Sequence, residues 1–224
     1  MAKQLFIGLV AEGPTDIRFL QNVVQRTFED VAYNECAQEV EILTYELQNV
    51  GKGGSFADLV ENAAFEGVRQ LGAMTIVVHT DSDCDTYEER FEHKFQPAIT
   101  RLTAFEADDN YCTVLTPLIA VRMIEGWILA DKQLFKAEIN TSMSDSDLGI
   151  ARDPETISDP KRIISDAIRI SSIGQPKRRK ELSIADLYAP IGAKISLDAL
   201  NRLPSYRKFR ACVEDTFREL HYII

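Results

Sequence analysis

Carboxylates are the residues in this chain whose types and spacing could do chemistry. One group follows the apolar run Leu5–Val10, in Ala11-Glu12-Gly13-Pro14-Thr15-Asp16. Another follows Met74–Val78, in His79-Thr80-Asp81-Ser82-Asp83-Cys84-Asp85. Residues two apart in an extended segment face the same way, so Asp81, Asp83 and Asp85 are expected to aim at one point. If the two preceding strands are neighbours, about 5 Å apart, Glu12 joins them. Gathering carboxylates raises their pKa values and costs stability unless a cation compensates. Oxygen-only ligands suit Mg²⁺, Mn²⁺ or Ca²⁺ rather than zinc. There is no HExxH, and His79, His93 and His221 form no local cluster. The spacing predicts a hard divalent-cation site.

Rival motifs fit less well. Asp81, Asp83, Asp85 and Glu92 match the first, third, fifth and twelfth places of an EF-hand loop. Thr86 stands where that loop needs glycine, and a strand precedes it instead of a helix. The Asp-x-Asp-x-Thr of haloacid-dehalogenase phosphatases is missing, because neither Asp81 nor Asp83 has a threonine at the required place. Gly51-Lys52-Gly53-Gly54 lacks the spacing and trailing Lys-Ser/Thr of a phosphate loop. The bland alternative is a solvated acidic loop that caps the helix after it.

The elements that must position these acids alternate between strand and helix. Leu5–Val10 is a continuous apolar run, as in a strand buried on both faces. Thr15 is expected to cap a helix carrying Ile17, Leu20, Val24 and Phe28 at helical spacing. Strands are predicted at Val40–Tyr45, Met74–Val78 and Tyr111–Leu115. A helix opens at Ser55; another spans Tyr87 to Leu102, kinked or broken at Pro97; a third covers Met123 to Leu134 and holds the only tryptophan, Trp127. Beyond about residue 140 the pattern is helical, near 160–172 and 204–220, with no convincing strand. The reading is α/β, a mostly parallel sheet flanked by helices with a C-terminal helical extension. Residues 1–138 form the α/β core, and 139–224 a helical, partly basic extension packed on it.

The chain has 224 residues, 45% hydrophobic and 27% charged, which excludes disordered and collagen-like classes. No apolar run approaches the roughly 20 residues of a membrane-spanning helix, and no signal-peptide cleavage site follows Leu5–Ala11. The four cysteines stand far apart, so neither a disulfide framework nor a cysteine zinc site is expected, and a cytoplasmic location fits. Residues 1–150 carry 11 Lys+Arg against 25 Asp+Glu, a net of −14, while 151–224 carry 14 against 10, a net of +4. An acidic body with a basic tail argues against tight, nonspecific DNA binding by the isolated chain.

The two carboxylate segments together resemble the TOPRIM domain, the metal-binding α/β module of topoisomerases, primases and overcoming-lysogenization-defect nucleases. Glu12-Gly13-Pro14-Thr15-Asp16 has the form of its glutamate-glycine turn, and Asp81-Ser82-Asp83 the form of its Asp-x-Asp. Arg122-Met123-Ile124-Glu125-Gly126-Trp127-Ile128-Leu129-Ala130-Asp131, Asp159-Pro160-Lys161 and Pro204-Ser205-Tyr206-Arg207-Lys208-Phe209 resemble segments of a bacterial family of TOPRIM-like proteins of unassigned function. The resemblance implies a Rossmann-like TOPRIM fold, with Asp81 and Asp83 as ligands of Mg²⁺ or Mn²⁺. It makes Glu12 a ligand or general acid/base, gives Asp16 the support of the first-strand turn, and leaves Asp85 as an extra ligand. Glu125 either enters the site or pairs with Arg122.

Under the resemblance, the leading expectation is a Mg²⁺-dependent nuclease or phosphoryl-transfer subunit acting on nucleic acid in antiphage defence. No Walker motif is present; the resemblance implies a separate ABC/SMC-type ATPase as partner, and a homo-oligomer is also open. The alternative is a catalytically silent TOPRIM-fold sensor or assembly subunit of a defence complex, and a third reading is a small-molecule phosphohydrolase using the same metal. Lys177, Arg178, Arg179, Lys180, Arg207 and Lys208 are candidate nucleic-acid contacts, or else solvated faces and pairs for the acidic body. Trp127 is expected in the core, and Tyr188 and Tyr206 are candidates for stacking on bases.

Overall fold

The computed structural model describes residues 3–51, 54–83, 86–173 and 182–223. The strands β1 (Lys3–Val10), β2 (Val40–Glu46), β3 (Thr75–Asp81) and β4 (Leu115–Ala120) form one sheet. Every pairing is parallel and the order is β2-β1-β3-β4. The first half carries α1 (Pro14–Glu35), α2 (Phe56–Leu71), α3 (Tyr87–Arg90), a π-helical turn at Phe91–Phe95 and α4 (Gln96–Leu102). Short α5 (Glu125–Ile128) and α6 (Lys132–Glu138) follow β4. The C-terminal part adds α7 (Pro160–Ser171), α8 (Tyr188–Lys194), α9 (Leu197–Leu200) and α10 (Pro204–Glu219).

Strand alternation divides the core. Leu5, Ile7 and Leu9 pack with Phe19, Leu20, Val23 and Val24 of α1. Val10, Ile76 and Val78 turn the other way, towards Val60, Ala63 and Ala64 of α2 and Ala98 and Leu102 of α4. The chain therefore leaves β1 for one face of the sheet and leaves β3 for the other. A crevice opens between their carboxyl ends, where ligands of open α/β sheets bind.

The C-terminal helices cover the α1 face. Helix α8 packs along α1, and α10 packs on both α1 and β4. The α8 approach needs Gly192, because a Cβ there would stand 2.6 Å from the Phe19 carbonyl oxygen. One apolar cluster joins Leu5 and Leu9 to Trp127, Tyr188, Tyr206 and Phe209, so it runs continuously across residue 138.

Both sheet edges are interrupted. Along β2, Gln25 of α1 donates to the Ile42 carbonyl at 2.6 Å and accepts from the Thr44 amide at 3.0 Å, while Gln21 donates to the Thr44 carbonyl at 3.3 Å. On β4, the Val114 and Ala120 carbonyls accept from β3, so even-numbered positions face β3 and Pro117 faces outward. An outward edge is where a strand tolerates proline.

That proline explains one difference from the sequence reading. The last strand lies at Leu115–Ala120 instead of Tyr111–Leu115, since a mid-strand proline hides the pattern while the true strand is buried from Thr116 onward. Thr15 does not cap α1: Gly13 occupies the N-cap, and its amide donates to Asp16 at 3.0 Å. The predicted helix from Met123 to Leu134 is two short helices, because Asp131 caps a new start by accepting from the Leu134 amide at 3.0 Å. Pro97 sits in the first turn of α4, where its missing amide does no harm, and the irregularity lies upstream in the π-helical turn. The helices expected near 160–172 and 204–220 are α7 and α10. Among the described residues, no helix is long and apolar enough to cross a membrane.

Candidate functional site

Because β1 and β3 are direct neighbours, the two acidic strand ends meet, with Val10 paired to Val78. Glu12 follows β1 as an exposed residue, and its Oε1 accepts from the Thr80 hydroxyl at 2.6 Å. Asp16 folds back onto the turn as the acceptor for Gly13. Burial pushes the Asp16 carboxyl above the usual carboxylate range; nearby His79 opposes the rise and nearby Asp81 adds to it.

Asp81 closes β3. Its Oδ1 accepts from the Ile124 amide at 2.9 Å and lies 3.3 Å from His79 Nε2. His79 is 1% exposed, and neither ring nitrogen has an aligned hydrogen-bond partner, so the contact with Asp81 is ionic. Burial alone would push the imidazolium down; Asp81, then Asp16 and Glu12, outweigh it and raise the pKa. The histidine is thus an internal counter-charge for the acids. The sequence carried a signal for it, since two residues before Asp81 on a strand is the same face.

Glu125 enters from α5 and is 3% exposed. Its Oε1 accepts from the Tyr188 hydroxyl at 2.5 Å, and Lys161 Nζ of α7 lies 4.0 Å from the same oxygen. Its Oε2 is buried without a partner. Burial first, then Glu125, and then Asp16 and Asp81 all push the Tyr188 phenol well above its ordinary pKa, so it stays a donor. Tyr188 therefore anchors the Glu125 carboxylate. The pairing with Arg122 is not made: that backbone amide donates to Ser82 at 2.9 Å and its guanidinium reaches the Asp83 carbonyl at 3.3 Å. Neither Tyr188 nor Lys161 is legible as a site residue from local sequence, because each reaches Glu125 through tertiary packing.

The expected alternation of acids stops at the strand end. Asp83 takes φ +52°, is exposed, and pairs with Arg90 at 3.0 Å instead of joining the buried groups. Asp85 and the basic run Lys177, Arg178, Arg179, Lys180 lie outside the described residues. Arg207 is spent on the carbonyls of Asn201 and Arg202, and Lys208 pairs with Glu88 over the Tyr87 ring. Of these two, Lys208 pairs with an acid of the N-terminal body, whereas Arg207 bonds carbonyls within the C-terminal part. Tyr188 and Tyr206, each 1% exposed, are too buried to stack on bases.

Among the described residues, no group of three or more His, Cys, Asp or Glu is already gathered as a metal cage. Mg²⁺ is commonly held by one or two carboxylates, with waters and substrate phosphates completing its shell. Glu12 and Asp81 fit that mode: each keeps one carboxylate oxygen beyond those engaged with Thr80 and Ile124. No known protein family, curated protein or solved structure matches the chain.

Proposed function

We propose that this chain is a Mg²⁺- or Mn²⁺-dependent TOPRIM-like nuclease or phosphoryl-transfer subunit acting on nucleic acid, in antiphage defence beside a separate ATPase. The observation that carries the reading is the pairing of β1 with β3, which sets the strand ends bearing Glu12 and Asp81 side by side, backed by buried Glu125 next to the Ile124 amide that donates to Asp81. Glu12 and Asp81 would hold the ion. When bound, it neutralises phosphate charge and makes a bound water more acidic. Asp16 fixes the turn that presents Glu12, and His79 offsets the negative charge gathered around it. Glu125 Oε2, the buried oxygen left without a donor, accepts a proton or a hydrogen bond there. The net charge of −10 leaves the isolated chain weak on phosphate backbones, which fits a subunit that works with a partner.

One observation favours the silent-subunit reading. The buried His79 Nε2 lies 3.3 Å from Asp81 Oδ1, where an imidazolium would offset that acid in place of a metal. Calorimetric titration of Mn²⁺ and Mg²⁺ separates the two, run alone and with a phosphorothioate oligonucleotide. Saturable binding, weakened about 100-fold or more by Asp81→Asn in a still-folded protein, supports the metal-dependent reading. No binding to the folded wild type under either condition overturns it in favour of the silent subunit.

A further inference from the structure

Beside the carboxylates lies a cavity of about 540 Å³, between the β1–α1 turn and the connection from β2 to α2. We propose that it is a nucleobase subsite that takes adenine, in the strand whose phosphate meets Glu12 and Asp81; this rests on the phosphoryl-transfer reading above. The volume falls within the range of ligand pockets, which combine apolar walls with a few placed polar groups.

The walls suit a flat ring. Leu9 and Val10 at the end of β1 line the cavity, as do Leu59 and Phe56 at the start of α2. The Phe56 ring is held edge-on by Phe95 at a centroid distance of 4.9 Å, which fixes its orientation. Base–aromatic packing of this kind supplies affinity without needing charge.

The rim favours a base edge. Lys94 lines the cavity, with its Nζ 5.8 Å from the Phe56 ring centroid, and Glu12 and Glu46 line it as two carboxylates. They accept readily from an exocyclic amino group. Asn49 adds an amide that no described residue engages, and asparagine reads adenine through paired bonds to its amino group and ring nitrogen. Its backbone sits at φ +60°, a conformation asparagine tolerates. The turn is rigid, because the Gln48 amide donates to Gln70 at 3.0 Å and Gln70 donates back to the Gln48 carbonyl at 2.6 Å. Glu12 is shared by cavity and crevice, so a base in one places its own phosphate at the other.

The test is an amide NMR titration of the full chain with adenosine, cytidine and ribose 5-phosphate, repeated in Asn49→Gly, which keeps the positive φ. Adenosine should shift Gln48–Val50 and Ser55–Leu59 saturably, more tightly than cytidine, and about tenfold or more weakly in a folded Asn49→Gly. No adenosine shift at millimolar concentration, equal binding of cytidine, or an unchanged affinity in Asn49→Gly overturns the proposal. Mn²⁺ titrated into the same samples separates the two readings. Metal binding without adenosine binding removes the subsite and leaves the phosphoryl-transfer reading; adenosine binding without metal binding does the reverse.

Discussion

The carboxylate cluster has a closed side and an open side, and they are built by different means. On the closed side, Asp16, His79, Asp81 and Glu125 sit under the C-terminal helices, with Tyr188 reaching in from α8. Behind them Trp127 donates to Ser205 at 2.8 Å, and Ser205 donates to Glu155 at 2.5 Å. On the open side, Glu12, Asp83 and the adjoining cavity are framed by loops, with Glu12 accepting from Thr80 and the Asp83 carboxylate paired with Arg90. The difference teaches where order comes from. Buried ionisable groups are destabilising by themselves, and a large apolar core offsets them and fixes their geometry. Loops at the strand ends are left free to meet a ligand.

Perturbing the two sides should give unequal losses. Trp127→Ala strips a fully buried indole from the closed side and should cost about 3–5 kcal/mol in urea unfolding. A loss under about 1 kcal/mol would mean that the C-terminal helices do not brace the cluster. Tyr188→Phe removes only the hydroxyl donated to Glu125 and should cost about 1.5–3 kcal/mol. On the open side, Asp83→Asn, which tolerates the positive φ, removes only the charge paired with Arg90 and should stay within about 1 kcal/mol. If Asp83→Asn cost more than Tyr188→Phe, the contrast between the sides would be wrong.

The smallest effect is a slope with pH. His79 has a folded-state pKa raised above its ordinary 6.5. Its contribution to stability is therefore full below 6.5 and is lost as pH rises through the higher folded-state value. The urea midpoint of the wild type should fall over that window, and His79→Asn should flatten the fall. A midpoint that rises with pH in the wild type and not in the variant would show that the acids fail to hold the imidazolium.

What could be read from the sequence was local. Glu12 and Asp81 follow apolar runs that had to be strands, and an alternating strand–helix pattern implies a parallel sheet with its site at the strand ends. Asp83 misled because alternation holds only while the chain stays extended, and β3 stops at Asp81. Thr15 looked like a cap, yet Asp16 reaches back to the Gly13 amide and does that work. Glu125 sat among apolar residues with nothing nearby to say whether it entered the site. Its partners Lys161 and Tyr188 come from α7 and α8, and no local pattern encodes a contact 63 residues away.

The interrupted sheet edges bear on how this chain meets others. An exposed edge strand is a template for pairing with another chain, whether in a functional complex or an aggregate. Here the glutamines of α1 occupy backbone groups of β2, and Pro117 deletes a donor in mid-strand on β4. Among the described residues, a second copy or a partner subunit therefore meets an interrupted ladder on either flank. Both interruptions work against extending the sheet into a fibril.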